Sequence, residues 1–293
     1  MNKKQVVPSK EKLIATHKAM QGVSLPLVPK ILLDINKKLE EDDVNLSEIA
    51  ELISQDPAIS GAVLKIVNSP LYSLRREIES IQQAVLILGA EKIKTQVIAT
   101  ALAQALGDID PVLMTLWDES AAIAFCSMRL AVALNMGIPD GTAYMIGLFM
   151  NTGKFLLSKK YSDYSEIIDI ARVNPKQGII EETSRYASDH TLIAYLLCLS
   201  WKLPESVSLS IMLRYHESMK DIEDDELKLL HAVLVISESI VAKILHPESE
   251  REDSDAHKFI FEAIETLYLD TDVLKTVSEE TDEFIHTLIH NNS

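Results

Sequence analysis

Histidine and cysteine are among the residues of this chain whose side chains could bind a metal ion or act as a nucleophile. The 293 residues include eight histidines and two cysteines. Cys126 and Cys198 lie in apolar helical segments without the CxxC spacing of metal or redox sites, so we expect buried free thiols. Most histidines, including His231, are scattered without repeated ligand spacing. The chain also lacks the GxSxG, P-loop and GxGxxG motifs that would mark a serine hydrolase or a nucleotide-binding enzyme.

The composition predicts an all-α globular protein. The chain is long enough to bury a core without disulfides or metals, and 47% of its residues are hydrophobic with only 9 glycines and 10 prolines. A net charge of −16 would repel the phosphate backbone, so we expect no direct binding to nucleic acid. Because no run of eighteen apolar residues and no signal peptide occurs, we expect a cytoplasmic protein without membrane association.

The most informative stretch, residues 53–88, predicts a helix, a polar turn and a second helix. Asp56 and Pro57 predict the first helix start, because the carboxylate can accept from free first-turn amides and proline lacks the amide hydrogen that would stay unpaired there. Asn68 and Ser69 predict the turn. We expect both to satisfy backbone groups rather than to contact a ligand.

Similar signals predict helices along most of the chain. Ser80 with Gln83 is the signature of a capping box at the start of the second helix. Asp189 is predicted to cap a later helix, and Pro204 to begin the one that carries Tyr215. Other predicted helices cover residues 9–21, 31–39, 46–53, 90–106, 111–134, 143–158, 256–268 and 272–290.

The residue types at these positions resemble the HDOD domain, a helical output domain of bacterial signalling proteins. The matching residues are Asp56-Pro57, Leu64, Asn68-Ser69, Tyr72, Ile78, Ala84, Leu88-Gly89, Trp201, Leu203-Pro204 and Tyr215-His216. The resemblance implies a multi-helix fold in which an N-terminal helical half packs on an HD-like helical half. It covers residues 24–220, so residues 1–23 and 221–293 are expected to be helical extensions.

The HDOD family is similar to the HD phosphohydrolases, in which a His, a His-Asp pair and a further Asp bind the metal that activates water. Residues 147–154 stand in the place of the His-Asp pair, and Met150 and Asn151 replace the two ligands. Glu119 stands where the first His is expected. Because a thioether does not suit a hard cation and an amide lacks the carboxylate charge, the resemblance implies a degenerate HD site without metal or catalysis.

Two other functions remain open. Glu119, His190 and His216 could form a reduced ligand set for a divalent metal, which would make the protein a metal-dependent phosphohydrolase. Alternatively, Lys154 and Arg214 could line a remnant pocket with the two histidines and bind a nucleotide or another small anion. The simpler expectation is that hydrogen bonds satisfy both histidines, that Lys154 lies at the surface and that Arg214 pairs within its helix.

We therefore expect a regulatory HDOD protein that binds an unidentified signalling protein and turns over no substrate. The groove between the two helical halves is the expected binding surface, and no cofactor is expected. Asp56, Pro57, Asn68, Ser69 and Tyr72 are expected to be structural. The sequence does not indicate an oligomeric state, and it contains no recognisable receiver, kinase or cyclic-dinucleotide module.

Overall fold

The computed structural model describes residues 7–23, 25–41, 43–68, 72, 76–107, 111–135, 137–215, 218–247 and 254–292. Within these residues the chain forms sixteen α-helices, one turn of 3-10 helix and no strand, which confirms the predicted all-α class. None of these helices is both long enough and apolar enough to cross a membrane. The helices are α1 (Lys10–Ala19), α2 (Lys30–Leu39), α3 (Leu46–Ser54), α4 (Pro57–Val67), α5 (Ile81–Leu88), α6 (Ala90–Leu106), α7 (Pro111–Ala133), α8 (Asp140–Phe149), α9 (Thr152–Lys160), α10 (Tyr164–Val173), α11 (Pro175–Tyr186), α12 (His190–Ser200), α13 (Glu205–Leu213), α14 (Asp225–Leu245), α15 (Ser254–Leu267) and α16 (Thr271–Asn292).

Packing divides the chain into two compact units. The first unit comprises residues 1–25 and 110–288, and the second comprises residues 26–109 and 289–293. Helices α2 to α6 therefore form the second unit, whereas α1 belongs to the first unit together with α7 to α15 and most of α16. In sequence, the second unit interrupts the first.

Long-range hydrogen bonds tie α1 into the first unit. The ammonium group of Lys160 donates to the backbone oxygens of Ala19 and Gln21, at 2.5 and 2.6 Å. The hydroxyl of Ser188 donates to that of Thr16 at 2.8 Å, and Thr16 is fully buried. The first unit is thus completed by a helix from the other end of the sequence.

The predicted helix starts are present in the second unit, with one difference in detail. Asp56 Oδ1 accepts from the next two free amides of α4, both at 3.0 Å. At α5 the Ser80 hydroxyl accepts from the amide of Gln83 at 3.2 Å, as predicted. The Gln83 side chain, however, accepts from the amide of Glu79 at 3.0 Å rather than from Ser80, so the reciprocal bond is displaced by one residue.

The single helix predicted over residues 143–158 is wrong, because the structure divides it into α8 and α9. The break lies at Met150 and Asn151, and both side chains are fully buried. Asn151 donates to the Ser120 hydroxyl on α7 at 3.1 Å. The Thr152 hydroxyl donates to the backbone oxygen of Phe149 at 2.7 Å, across the bend. Apolar residues continue through the bend, so the sequence pattern does not show it.

Gly147 brings α8 into backbone contact with α7. A Cβ atom at this position would lie 2.4 Å from the backbone nitrogen of Ala124, which no side chain could tolerate. The crossing places the end of α8 directly beside α7, and this is why Asn151 can reach Ser120.

Candidate functional site

Glu182, His190 and Arg214 form a line of side chains in the core of the first unit. Each is at most 1% exposed. His190 Nδ1 lies 2.7 and 2.9 Å from the two carboxylate oxygens of Glu182, and His190 Nε2 lies 2.5 Å from Arg214 Nη2. Because a guanidinium group can only donate, Nε2 must accept and Nδ1 must carry the hydrogen that Glu182 accepts. His190 is therefore a neutral imidazole with both ring nitrogens in hydrogen bonds.

Neighbouring groups hold this line in place. Asp189 is 4% exposed and caps α12, its Oδ1 accepting from the amides of Thr191 and Leu192 at 2.9 and 3.0 Å and from the Thr191 hydroxyl at 2.5 Å. Glu182 also accepts from the backbone amide of His190 at 2.9 Å and from the Tyr164 hydroxyl at 2.5 Å. The cap and the carboxylate together fix the orientation of the imidazole.

Burial sets the protonation states of the line. It lowers the pKa of His190, and the positive charge of Arg214 lowers it further, while Glu182 opposes both effects. Burial alone would raise the pKa of Glu182, but His190 and the hydrogen bond from Tyr164 outweigh it and lower the pKa below its usual value. The result is one negative and one positive end, joined by a neutral ring.

The degenerate HD positions lie in the same unit. Met150 and Asn151 are part of the core at the bend between α8 and α9, whereas Glu119 on α7 is partly exposed. Lys154 is also partly exposed, and burial and the charge of Arg214 lower its pKa while Glu119 opposes them. Of these four side chains only Glu119 offers a carboxylate, and none offers an imidazole.

A metal does not fit the described donor set. Among the residues that the structure describes, no three histidine, cysteine, aspartate or glutamate side chains are arranged to share a metal ion. His190 Nε2, the atom that a metal would need, accepts from Arg214 instead. His216, the third member of the alternative ligand set, lies outside the described residues.

The predicted structural residues belong to the second unit. The Asn68 amide group pairs with both backbone groups of Ile78: Nδ2 donates to the Ile78 oxygen at 2.8 Å, and the Ile78 amide donates to Oδ1 at 2.7 Å. Tyr72 accepts at its hydroxyl from Gln96 Nε2 on α6, at 2.7 Å. Asn68 thus closes the connection between α4 and α5, while Ser69 lies outside the described residues.

Glu182 is the main site residue that the sequence analysis missed. It follows Glu181 in a segment with an ordinary helical pattern, and residue type alone does not show whether a glutamate is buried or exposed. The signal that could have found it is positional: Ile179, Glu182 and Tyr186 are spaced by three and four residues, on the buried face of α11. A carboxylate on an apolar stripe implies a buried partner.

Comparison with known sequences identifies the family. The HDOD domain model matches residues 25–218. The chain belongs to the HDOD family. This match agrees with the resemblance predicted for residues 24–220. An uncharacterized protein of Treponema pallidum (strain Nichols) is 26% identical over 212 residues, which is 71% of this chain and 40% of that protein. The HDOD chain therefore spans less than half the length of this relative.

Solved structures show the same HDOD fold. An HDOD domain protein of unknown function from Geobacter sulfurreducens has a TM-score of 0.71 at 23% identity, covering 94% of this chain and 95% of its own. A protein from Shewanella amazonensis, described as a supposed phosphohydrolase, has a TM-score of 0.70 at 22% identity, covering 92% and 93%. At these identities the likeness concerns the fold alone.

Proposed function

We propose that this HDOD protein is a non-catalytic regulatory protein that acts by binding a signalling partner. The observation that carries the proposal is the hydrogen bond between Arg214 and His190 Nε2, because it occupies the lone pair that a catalytic metal would require. The buried Met150 and Asn151 at the HD positions point the same way. Without a metal, the site has no means of lowering the pKa of an attacking water.

Exposed apolar side chains support a binding role. Leu86 and Ile87 are adjacent on α5 and are 73% and 56% exposed, although Ile81, Ala84 and Val85 of the same helix are buried. Apolar surface of this kind often marks a site of protein association. We propose that α5 contributes to the surface that a signalling protein recognises.

The test of this proposal is the metal content of the purified, desalted protein, measured by plasma mass spectrometry. We expect well below one equivalent of iron, manganese, zinc or nickel per chain, and no phosphoesterase activity that a chelator removes. One or more equivalents, lost in a His190→Ala, His216→Ala double variant, would instead establish the metal-dependent phosphohydrolase.

The binding part is tested separately, by capture from the cytosol of the native host with the wild type and with a Leu86→Ser, Ile87→Ser variant. We expect a protein that the wild type retains and the variant releases, with equal unfolding midpoints for the two proteins. A matched Gln82→Ser variant, also on the exposed side of α5, should retain that protein. Equal retention by all three would remove α5 from the proposal.

A second candidate, a small-anion sensor, is favoured by one feature of Arg214. This residue is fully buried, and within the described structure its Nε and Nη1 atoms have no hydrogen-bond partner. A buried guanidinium with free donors suits a small oxyanion. The test is thermal unfolding with inorganic phosphate: a concentration-dependent rise in midpoint that Arg214→Lys abolishes would support sensing, and no rise would exclude phosphate as the ligand.

A further inference from the structure

A cleft of about 560 Å³ lies among α14, α15 and α16, outside the region that the HDOD model matches. Its volume falls within the range of small-molecule sites. Its apolar walls come from these three helices and from the connection between α15 and α16, and they consist of Ile236, Ile240, Ile260, Ile264, Leu269 and Leu274. Such walls would favour the alkyl chain of a ligand, because each methylene group removed from water contributes favourably.

The polar lining of this cleft is basic. Lys243 from α14 and Lys275 from α16 line it together with the hydroxyl side chains of Ser239, Thr271 and Ser278, and no carboxylate of a described residue is part of the lining. This is notable in a chain with 44 acidic and 28 basic residues. The charge of the cleft is therefore opposite in sign to that of the chain as a whole.

Both lysines are available to a ligand. Lys243 is exposed, and among the described residues it has no ion pair. Lys275 lies 3.9 Å from Glu279, but the two side chains are 73% and 67% exposed. Exposed pairs of this kind contribute little, so a ligand carboxylate could replace Glu279 at small cost.

We propose that this cleft binds an amphipathic carboxylate of the fatty-acid type. The alkyl chain lies against the isoleucine and leucine side chains, and the carboxylate lies between Lys243 and Lys275. A lysine ammonium suits a single carboxylate because it acts as a compact point charge with rotatable donors. Among the described residues no acidic side chain lines the cleft, which argues against a cationic amphiphile of the same length.

The test is isothermal titration calorimetry of the full-length protein with sodium dodecanoate below its micelle concentration, compared with dodecyltrimethylammonium. We expect one dodecanoate per chain, bound at least about tenfold more tightly than the cation. A Lys243→Ser, Lys275→Ser double variant should lose about tenfold in affinity. The matched control, Lys12→Ser with Lys258→Ser, removes the same charge from exposed positions outside the cleft and should bind as the wild type does.

A second variant tests the apolar part of the site. Leu274→Trp should fill the cleft and abolish dodecanoate binding, with circular dichroism and the unfolding midpoint used to verify that it folds. Equal affinity for the two amphiphiles, or an unchanged affinity in the lysine variant, would overturn the proposal. So would binding of an acidic amphipathic peptide to a cleft that does not bind dodecanoate. None of these outcomes bears on the metal measurement, so this proposal and the proposed function fail separately.

Discussion

At the scale of single residues, the centre of the first unit is a charge-compensated line rather than a metal site. Arg214 places a positive charge beside an imidazole nitrogen, since its guanidinium group donates to His190 Nε2. Glu182 balances that charge from the other side of His190. Breaking a buried pair usually costs more than the pair contributes, because one charge is left uncompensated.

Replacing Glu182 by glutamine should therefore destabilise the protein by about 2–4 kcal/mol. The variant keeps the size of the side chain but removes the charge that compensates Arg214, and its amide group would face the donors of His190 and Tyr164. Urea unfolding at neutral pH measures the change. Glu181→Gln is the matched control: its carboxylate pairs with Arg185 at the surface, and its loss should cost under about 1 kcal/mol.

A buried histidine outside the line predicts a pH dependence. His231 on α14 is fully buried, and burial lowers its pKa from 6.5 to about 4, with Arg214 adding to the effect and the Ser210 oxygen opposing it. Since the unfolded chain binds this proton first, stability falls as the pH decreases from about 6.5. Between about pH 6.5 and 5 the loss from this group should be about 1.5 kcal/mol.

The measurement is the free energy of unfolding at several pH values for the wild type and His231→Gln. The variant should show a flatter dependence over this window, because glutamine does not titrate. His286→Gln, at an exposed position of α16, should leave the wild-type slope unchanged. Identical slopes for wild type and His231→Gln would show that His231 does not contribute.

At the scale of helices, the site depends on close backbone crossings. Gly153 near the start of α9 faces the first residue of α12, and a Cβ atom there would lie 1.9 Å from the backbone oxygen of His190. The obstacle is main chain, so it cannot turn aside as a flexible side chain could. The presence of glycine at this position therefore allows α9 to approach the residue that carries the imidazole.

Gly153→Ala should lower the free energy of unfolding by at least about 2 kcal/mol, because α9 or α12 must shift to accept the methyl group. Gly61→Ala is the matched control. It lies on an exposed helical position of α4 with no atom within 4 Å of an added Cβ, and it should stabilise the protein by about 0.5–1 kcal/mol. An unchanged free energy of unfolding in Gly153→Ala would contradict the close approach of α9 to α12.

These elements differ in how far the sequence predicts them. The caps at Asp56 and Asp189 were predictable, because a cap is a contact between residues two or three positions apart. The break at Asn151 was not, since its cause is Ser120 on another helix, 31 residues away. Arg214 was predicted as a pocket residue, but its contact with His190 joins the start of α12 to the end of α13, 24 residues apart, which no local pattern shows.

At the scale of the whole molecule, the C-terminal helices are part of the first unit rather than an appendage. In α14 the side chains of Leu230, Val233, Leu234 and Val241 are completely buried, although the HDOD model ends before this helix. Helix α14 packs on α7 and α8, which carry or adjoin the degenerate HD positions, and on α13, which ends at Arg214. The region that the family shares is therefore smaller than the region that folds together.

Removal of residues 221–293 should therefore abolish cooperative unfolding. The faces of α7 and α13 that α14 covers would meet water, and the remaining chain should bind a hydrophobic dye and lose its near-ultraviolet circular dichroism. The full-length protein is the reference in both measurements. A single sigmoidal urea transition for the shortened chain would show that residues 1–220 fold without the C-terminal helices.

The hydrogen bonds that join α1 to Lys160 and Ser188 impose an order on folding during synthesis. Their partners are 141 and 172 residues apart. At roughly 5–20 residues per second, a ribosome needs about 7–35 s to deliver those partners after α1 has emerged. Residues 26–109 are contiguous and emerge complete within this interval. Residues 26–109 of the second unit can therefore fold first, before the residues that form hydrogen bonds with α1 have been synthesised.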